Sequence, residues 1–246
     1  MLLMRNLSVF AIVLVFLFTS CLKEDHEPIS ELNIIFELLY DGEPLNPTPD
    51  YFRLNDSVEV QFSKVSFYLS DFKVQSTEGE LEILDILHLS FLQNLNGDVI
   101  EENQQLLRFS LPASEYSSLS FGLGVTPSQN ATKPAEHTPG SFLSFASEYW
   151  EAWDSYVFEK IEGRYKMDGQ DPETMALHIG GDETYRNLEW KDALSLSGDD
   201  SEVLEISIDL KDILVNYPLT EAPVLHSEEQ LSYMNILADN IAQSMN

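Results

Sequence analysis

The chain has little cysteine and little positive charge. Cys21 is its one cysteine in 246 residues, so neither a disulfide framework nor a cysteine-rich metal cluster can be built from it. Only 13 Lys and Arg stand against 42 Asp and Glu, a net charge of −29. A surface of that sign repels phosphate backbones and anionic headgroups, which argues against nucleic-acid and peripheral-lipid binding and leaves cations as the natural small partners. The sequence also lacks Gly-x-Ser-x-Gly, a phosphate loop, a dinucleotide fingerprint and any fixed-period repeat. Paired carboxylates for glycoside hydrolysis stay open, because their spacing is set by the fold.

A long apolar run occurs at the N-terminus. Arg5 precedes Leu7 to Phe18, broken only by Ser8, and Thr19-Ser20-Cys21 follows. The run is short for a membrane span and ends in small residues, so residues 1–20 read as a secretory signal. Phe18-Thr19-Ser20-Cys21 resembles a bacterial lipobox, whose cysteine is acylated and becomes the first mature residue. Residues 21–31 read as a charged tether, and "LKEDHE" resembles the export tethers of Bacteroidetes surface lipoproteins. The expectation is an envelope protein held to outer-membrane lipid through Cys21, outward-facing in the surface-lipoprotein case.

Residues 32–246 are expected to form one domain. Val58, Val60 and Phe62 alternate with polar residues, as do Leu119, Phe121, Leu123 and Val125, and Leu204, Ile206, Ile208 and Leu210. Period two marks strands with one buried face. Further strands are expected over 32–40, 64–74, 81–87, 106–111, 156–162, 175–179 and 188–190. About ten short strands separated by turn signals predict a mainly β, two-sheet antiparallel sandwich.

Two stretches depart from that rhythm. Ser227 and Gln230 have capping-box spacing before Leu231, Met234, Ala238, Ile241 and Met245, which predicts a C-terminal helix. In "SFLSFASEYWEAWDSYVFEKIEG", Phe142, Phe145, Ala146, Tyr149, Trp153 and Tyr156 recur at three and four residues, which predicts a short internal helix over about 141–154 running into a strand. Tyr149, Trp153 and Tyr156 then hold the core. Trp150 falls off that stripe and is expected to project toward the surface carrying His178.

In order, "FELLYDGEPL" (36–45), "KVSFYLSDFKV" (64–74), "SFGLGVTPSQN" (120–130), "YWEAWDSYVFEKIEG" (149–163), "LHIGG" (177–181) and "MNILADNI" (234–241) resemble the MbnP-like family. These are methanobactin-associated copper-binding proteins, and the likeness runs from about residue 33 to 241. The resemblance implies a β-rich domain that binds copper through histidines, with a tryptophan that a partner dihaem peroxidase-like protein can oxidise. It carries over unevenly. Phe36, Gly42, Pro44 and Leu45 match the first motif, but Leu38 stands where metal-binding relatives have histidine. Tyr149, Trp150 and Tyr156 match the aromatic motif, whereas Ser155 replaces its glycine and the second tryptophan is displaced to Trp153. "LHIGG" is intact and keeps His178, and "EHTP" resembles a His-Pro loop through His137.

Five histidines are available, at 26, 88, 137, 178 and 226. Met175 and Leu177 are expected to face the core, which turns His178 to the opposite face beside a Gly-Gly that admits close approach. His178 is open to both a structural and a ligand reading, and His137 to both a surface-loop and a ligand reading. His26 falls in the tether, and His88 and His226 read as structural or solvent-facing. The candidate metal residues are therefore His178, His137 and Trp150, with copper as the ion. Carboxylates at Asp168–Glu173 and Gly198–Glu202 also raise Ca²⁺, but neither has EF-hand spacing and solvated turns explain them. Three functions compete: a non-catalytic copper-binding lipoprotein, which leads, a metal-free interaction module, and a secreted hydrolase.

Overall fold

The computed structural model describes residues 28–191, 194–196 and 201–245. Cys21, the signal segment, His26, most of the tether and Gly198 to Asp200 lie outside the described residues.

The described part of the chain opens with β1 (Ile29–Tyr40), which turns at Asp41-Gly42 into β2 (Glu43–Pro44). β3 (Phe52–Arg53) leads to the long β4 (Val58–Ser76), which folds back as β5 (Gly79–Phe91). β6 (Gln104–Pro112), β7 (Ser114–Leu123), α1 (Pro127–Asn130), β8 (Tyr149–Trp150), β9 (Ser155–Met167) and β10 (Glu173–Gly180) follow. The last third holds β11 (Arg186–Trp190), β12 (Leu194–Leu196), β13 (Ser201–Asp209), α2 (Leu210–Val215), β14 (Val224–Leu225) and α3 (Leu231–Ser244).

These strands form a mainly β sandwich. One sheet is ordered β13-β1-β2, with β6 also on β1; the other is ordered β11-β7-β4-β9-β10-β14, with β3 and β5 on β4 and β12 on β7. The alternation of β1 explains the first sheet: Leu32, Ile34, Phe36, Leu38 and Tyr40 are all buried on one face. Rings from the two sheets meet in the core, with Phe36 of β1 edge-on to Phe121 of β7 at 5.8 Å and Phe72 of β4 stacked on Phe121 at 4.6 Å. Burying such rings supplies both area and geometric specificity. Most ladders are antiparallel, but β1 with β13 and β10 with β14 run parallel.

The middle of β4 is buried on both faces. Val65, Phe67 and Leu69 face the sandwich core, while Ser66, Tyr68 and Ser70 are buried on the other face, Tyr68 beneath the chain between α1 and β8. Tyr68 Oη donates to Phe142 O at 2.7 Å and Tyr156 Oη to Leu143 O at 2.8 Å. These two bonds tie that cover to the sheet over a second apolar cluster of Tyr68, Val125, Leu143, Tyr149, Tyr156 and Phe158.

The internal helix expected over 141–154 is not there. The segment makes two single 3₁₀ turns, Phe142–Ser144 and Ala146–Glu148, then pairs Tyr149 with Tyr156 and Trp150 with Ser155 across a tight loop in which Asp154 has φ 54°. Successive 3₁₀ turns bring residues three apart to one side, so the apolar spacing mimics a helix without its bonds. The short helices are instead α1 and α2. Tyr149 and Tyr156 are buried as expected, but Trp153 is only half-buried: it packs at the rim of the core, where the hairpin loop stacks it on Trp150. α3 forms as expected, with Met234, Leu237, Ala238 and Ile241 buried. Its capping box does not: Gln230 Oε1 accepts from His226 N at 2.9 Å, and a 3₁₀ turn over Glu228–Gln230 precedes the helix.

Candidate functional site

The site lies on the outer face of the large sheet, at the β9-β10-β14 edge. In β10, Met175, Leu177 and Ile179 point into the core, which sends His178 to the other face, opposite Lys160 of β9. Glu162 is opposite Ala176, diagonal to His178, and its Oε1 lies 2.7 Å from His178 Nε2. That contact, together with Lys64 and Lys160 nearby, holds the Glu162 carboxyl below the ordinary range despite its partial burial.

β14 adds the second imidazole. It runs parallel to β10, Ala176 pairing with Val224 and Leu177 with Leu225, so the next residue of each strand is a histidine. The rings of His178 and His226 are 4.7 Å apart, edge to face at 73°. Trp150 is in ring contact with both, at 6.1 Å from His178 and 6.2 Å from His226, and Trp153 stacks on Trp150 at 5.0 Å.

The Gly-Gly after His178 makes room for those indoles. A Cβ on Gly180 would lie 2.5 Å from Tyr156 O and 3.6 Å from Trp150 Cζ3, and one on Gly181 would lie 2.9 Å from Trp153 Cζ2. Ser155 Oγ accepts from Gly181 N at 3.0 Å and Asn130 Oδ1 accepts from Tyr156 N at 2.8 Å, so the hairpin is pinned to both the glycines and α1.

The two imidazoles differ electrically. The His178 side chain is 12% exposed, and its Nδ1 is buried without a hydrogen-bond partner among the described residues. His226 is exposed, but desolvation by its neighbours, followed by the charge of His178, lowers its pKa below the ordinary imidazole value.

A buried ionic cluster continues inward along the same face. Glu148, fully buried in its 3₁₀ turn, has Oε2 2.7 Å from Lys160 Nζ and Oε1 3.5 Å from Lys64 Nζ. Lys160 Nζ also donates to Ser147 O at 2.9 Å. His88 stands at the far end, Nε2 3.9 Å from Glu148 and Nδ1 3.0 Å from Ser90 Oγ, and burial pushes its pKa down to about 4.

His137 takes no part in the His-Trp ring contacts; its Nε2 lies 2.7 Å from Thr132 Oγ1. Leu38 is fully buried in β1. Asp168 contacts Arg53 at 3.4 Å and Glu173 accepts from Tyr165 Oη at 2.9 Å, so these two acids of the loop have protein partners. Among the described residues no group of three or more His, Cys, Asp or Glu could hold a metal ion. Sequence reasoning singled out His178 and Trp150 but passed over His226, Trp153, Glu162 and Glu148. One signal was present: Ala176-Leu177-His178 and Val224-Leu225-His226 are two short apolar steps ending in histidine.

A two-sheet β sandwich carrying a His-Trp cluster at one sheet edge defines the class. The profile of the MbnP family matches residues 29–229, and the chain belongs to that family. The family is methanobactin-associated and copper-related. A solved structure, MbnP from Methylosinus trichosporium, superposes with a TM-score of 0.48 at 12% identity, covering 75% of this chain and 77% of that one. Comparison with curated proteins found no match.

Proposed function

We propose that this protein binds one copper ion, as Cu(I), between His178 and His226, with the stacked indoles of Trp150 and Trp153 as its wall, and that it carries copper without catalysing a reaction. The observation that carries this reading is the buried, unpartnered Nδ1 of His178 beside a second imidazole. An acceptor nitrogen left without a donor costs about 1–3 kcal/mol, which a bound Lewis acid removes. Two imidazoles with no third acidic or thiolate ligand among the described residues suit a monovalent d¹⁰ ion that accepts low coordination. They suit Zn²⁺, with four ligands, and Ca²⁺, with six to eight oxygens, much less well. Family membership points to the same metal. His226 then supplies the imidazole that Leu38 cannot.

In the same reading the chain is tethered to outer-membrane lipid through acylated Cys21 and exchanges copper or electrons with an envelope redox protein. The test is metal stoichiometry of the purified protein after anaerobic Cu(I) loading and desalting. One equivalent is expected for wild type, with marked loss in His178→Ala and in His226→Ala. Absence of bound copper in the wild type rejects the proposal in favour of a metal-free interaction module.

A further inference from the structure

We propose that Glu162 is a positioning residue for His178: by accepting the Nε2–H it fixes the neutral ring as one tautomer and makes Nδ1 the metal-donating atom. The inference deepens the copper reading above and rests on it for the identity of the ion. A neutral imidazole has one N–H donor and one lone-pair acceptor, and an ionised carboxylate can only accept. With Nε2 at 2.7 Å from Glu162 Oε1, the proton belongs on Nε2 and the lone pair on Nδ1, the atom that is buried without a partner. A carboxylate on the non-ligating nitrogen also raises the basicity of the ligating one and fixes the ring plane.

The strands hold Glu162 in place. It pairs with Lys64 of β4 on one side and Ala176 of β10 on the other. Lys160, two residues along the same face, is committed to Glu148 and Ser147 O, so its ammonium does not compete for the imidazole. Gln at position 162 keeps an oxygen that can accept from Nε2, whereas Ala has none. The two variants therefore separate the hydrogen bond from mere packing.

The experiment is ¹⁵N-imidazole NMR of the full-length purified protein, first metal-free and then with Ag(I) as a redox-inert monovalent probe. In the metal-free wild type, under conditions where the ring is neutral, His178 should show the Nε2–H tautomer; the Nδ1–H tautomer there overturns the assignment without reference to any metal. On adding Ag(I), the large shift should fall on Nδ1 while Nε2 keeps its proton, and a shift on Nε2 also overturns it. Glu162→Ala should mix the tautomers and weaken Ag(I) binding about 10- to 100-fold, with Glu162→Gln restoring most of both. Backbone amide spectra of each variant separate this outcome from unfolding. Equal Ag(I) affinity in wild type and a folded Glu162→Ala rejects the positioning role. Failure of the wild type to bind either Ag(I) or Cu(I) rejects the copper reading and the donor role of Nδ1, while the metal-free tautomer still reports separately on Glu162.

Discussion

Gly181 and Trp153 make a contact that only glycine permits. The backbone of Gly181 has φ 90°, and a Cβ placed on it would lie 2.9 Å from Trp153 Cζ2. Gly181→Ala therefore combines an unfavourable backbone region with displacement of the indole. The expected cost is about 1–3 kcal/mol, a fall in melting temperature of a few degrees for a chain of this size. Trp153 should become more solvent-exposed, seen as a red-shifted emission maximum. An unchanged melting temperature and emission would show that the Trp153 stack does not depend on Gly181.

Glu148 and Lys160 form the tightest buried pair of the outer face, at 2.7 Å with side chains 1% and 7% exposed. Removing one partner of a buried pair leaves an uncompensated charge and costs about 3–5 kcal/mol. Lys160→Met should lower urea stability by less than that, about 1–3 kcal/mol, because Lys64 at 3.5 Å stays paired with Glu148. The double variant Glu148→Gln, Lys160→Met should recover part of the loss. A Lys160→Met protein as stable as wild type would mean that water reaches Glu148.

How much of this was legible in the sequence depends on the range of the interaction. Strand period is local, so the faces of β7, β10, β13 and the start of β4 follow from alternation alone, and Leu177 inward with His178 outward could be read directly. The two-sheet class followed from the number of such segments. The parallel ladder of β10 with β14 was not legible, since it joins segments on either side of α2 and β13. Without that register His226 looks like a residue before a helix, not a neighbour of His178. The aromatic stretch misled for a local reason: rings at spacings of three and four fit a helix and a pair of 3₁₀ turns equally well. Glu148 could not be found either, because a buried acid is identifiable only from the lysines above and below it.

Glu159 gives the stability a pH dependence whose sign can be worked out. It is fully buried on the core face with neither oxygen hydrogen-bonded among the described residues, and burial raises its pKa well above the ordinary value, against an opposing effect of Arg186. A carboxyl whose folded pKa is raised contributes its full stability below the unfolded value of about 4.3 and loses it as pH rises toward the folded one. His88 acts oppositely: its depressed folded pKa of about 4 gives stability that is present above about 6.5 and lost as pH falls toward 4. Glu159→Met removes only the first effect. It should raise the melting temperature at pH 8 and by less at pH 5; an equal change at both pH values would show that Glu159 is not held protonated by burial.

The last prediction separates the three tryptophans. Trp150 touches both imidazoles, Trp153 touches Trp150, and Trp190 is stacked on Phe121 at 4.7 Å, away from that set of contacts. Copper held by His178 and His226 sits within quenching range of Trp150 first and reaches Trp153 through the stack. Adding one equivalent of copper should therefore quench part of the intrinsic emission. Trp190→Phe should leave the absolute quenched signal unchanged, whereas Trp150→Phe should remove most of it with little change in copper stoichiometry, because an indole contributes a wall and not a ligand. His178→Ala and His226→Ala should abolish the quenching together. Since the pairing of His226 with His178 comes from the β10-β14 register, its variant is the sharper test of the geometry: quenching that survives in His226→Ala but not in His178→Ala would give a one-histidine site and remove β14 from the metal centre.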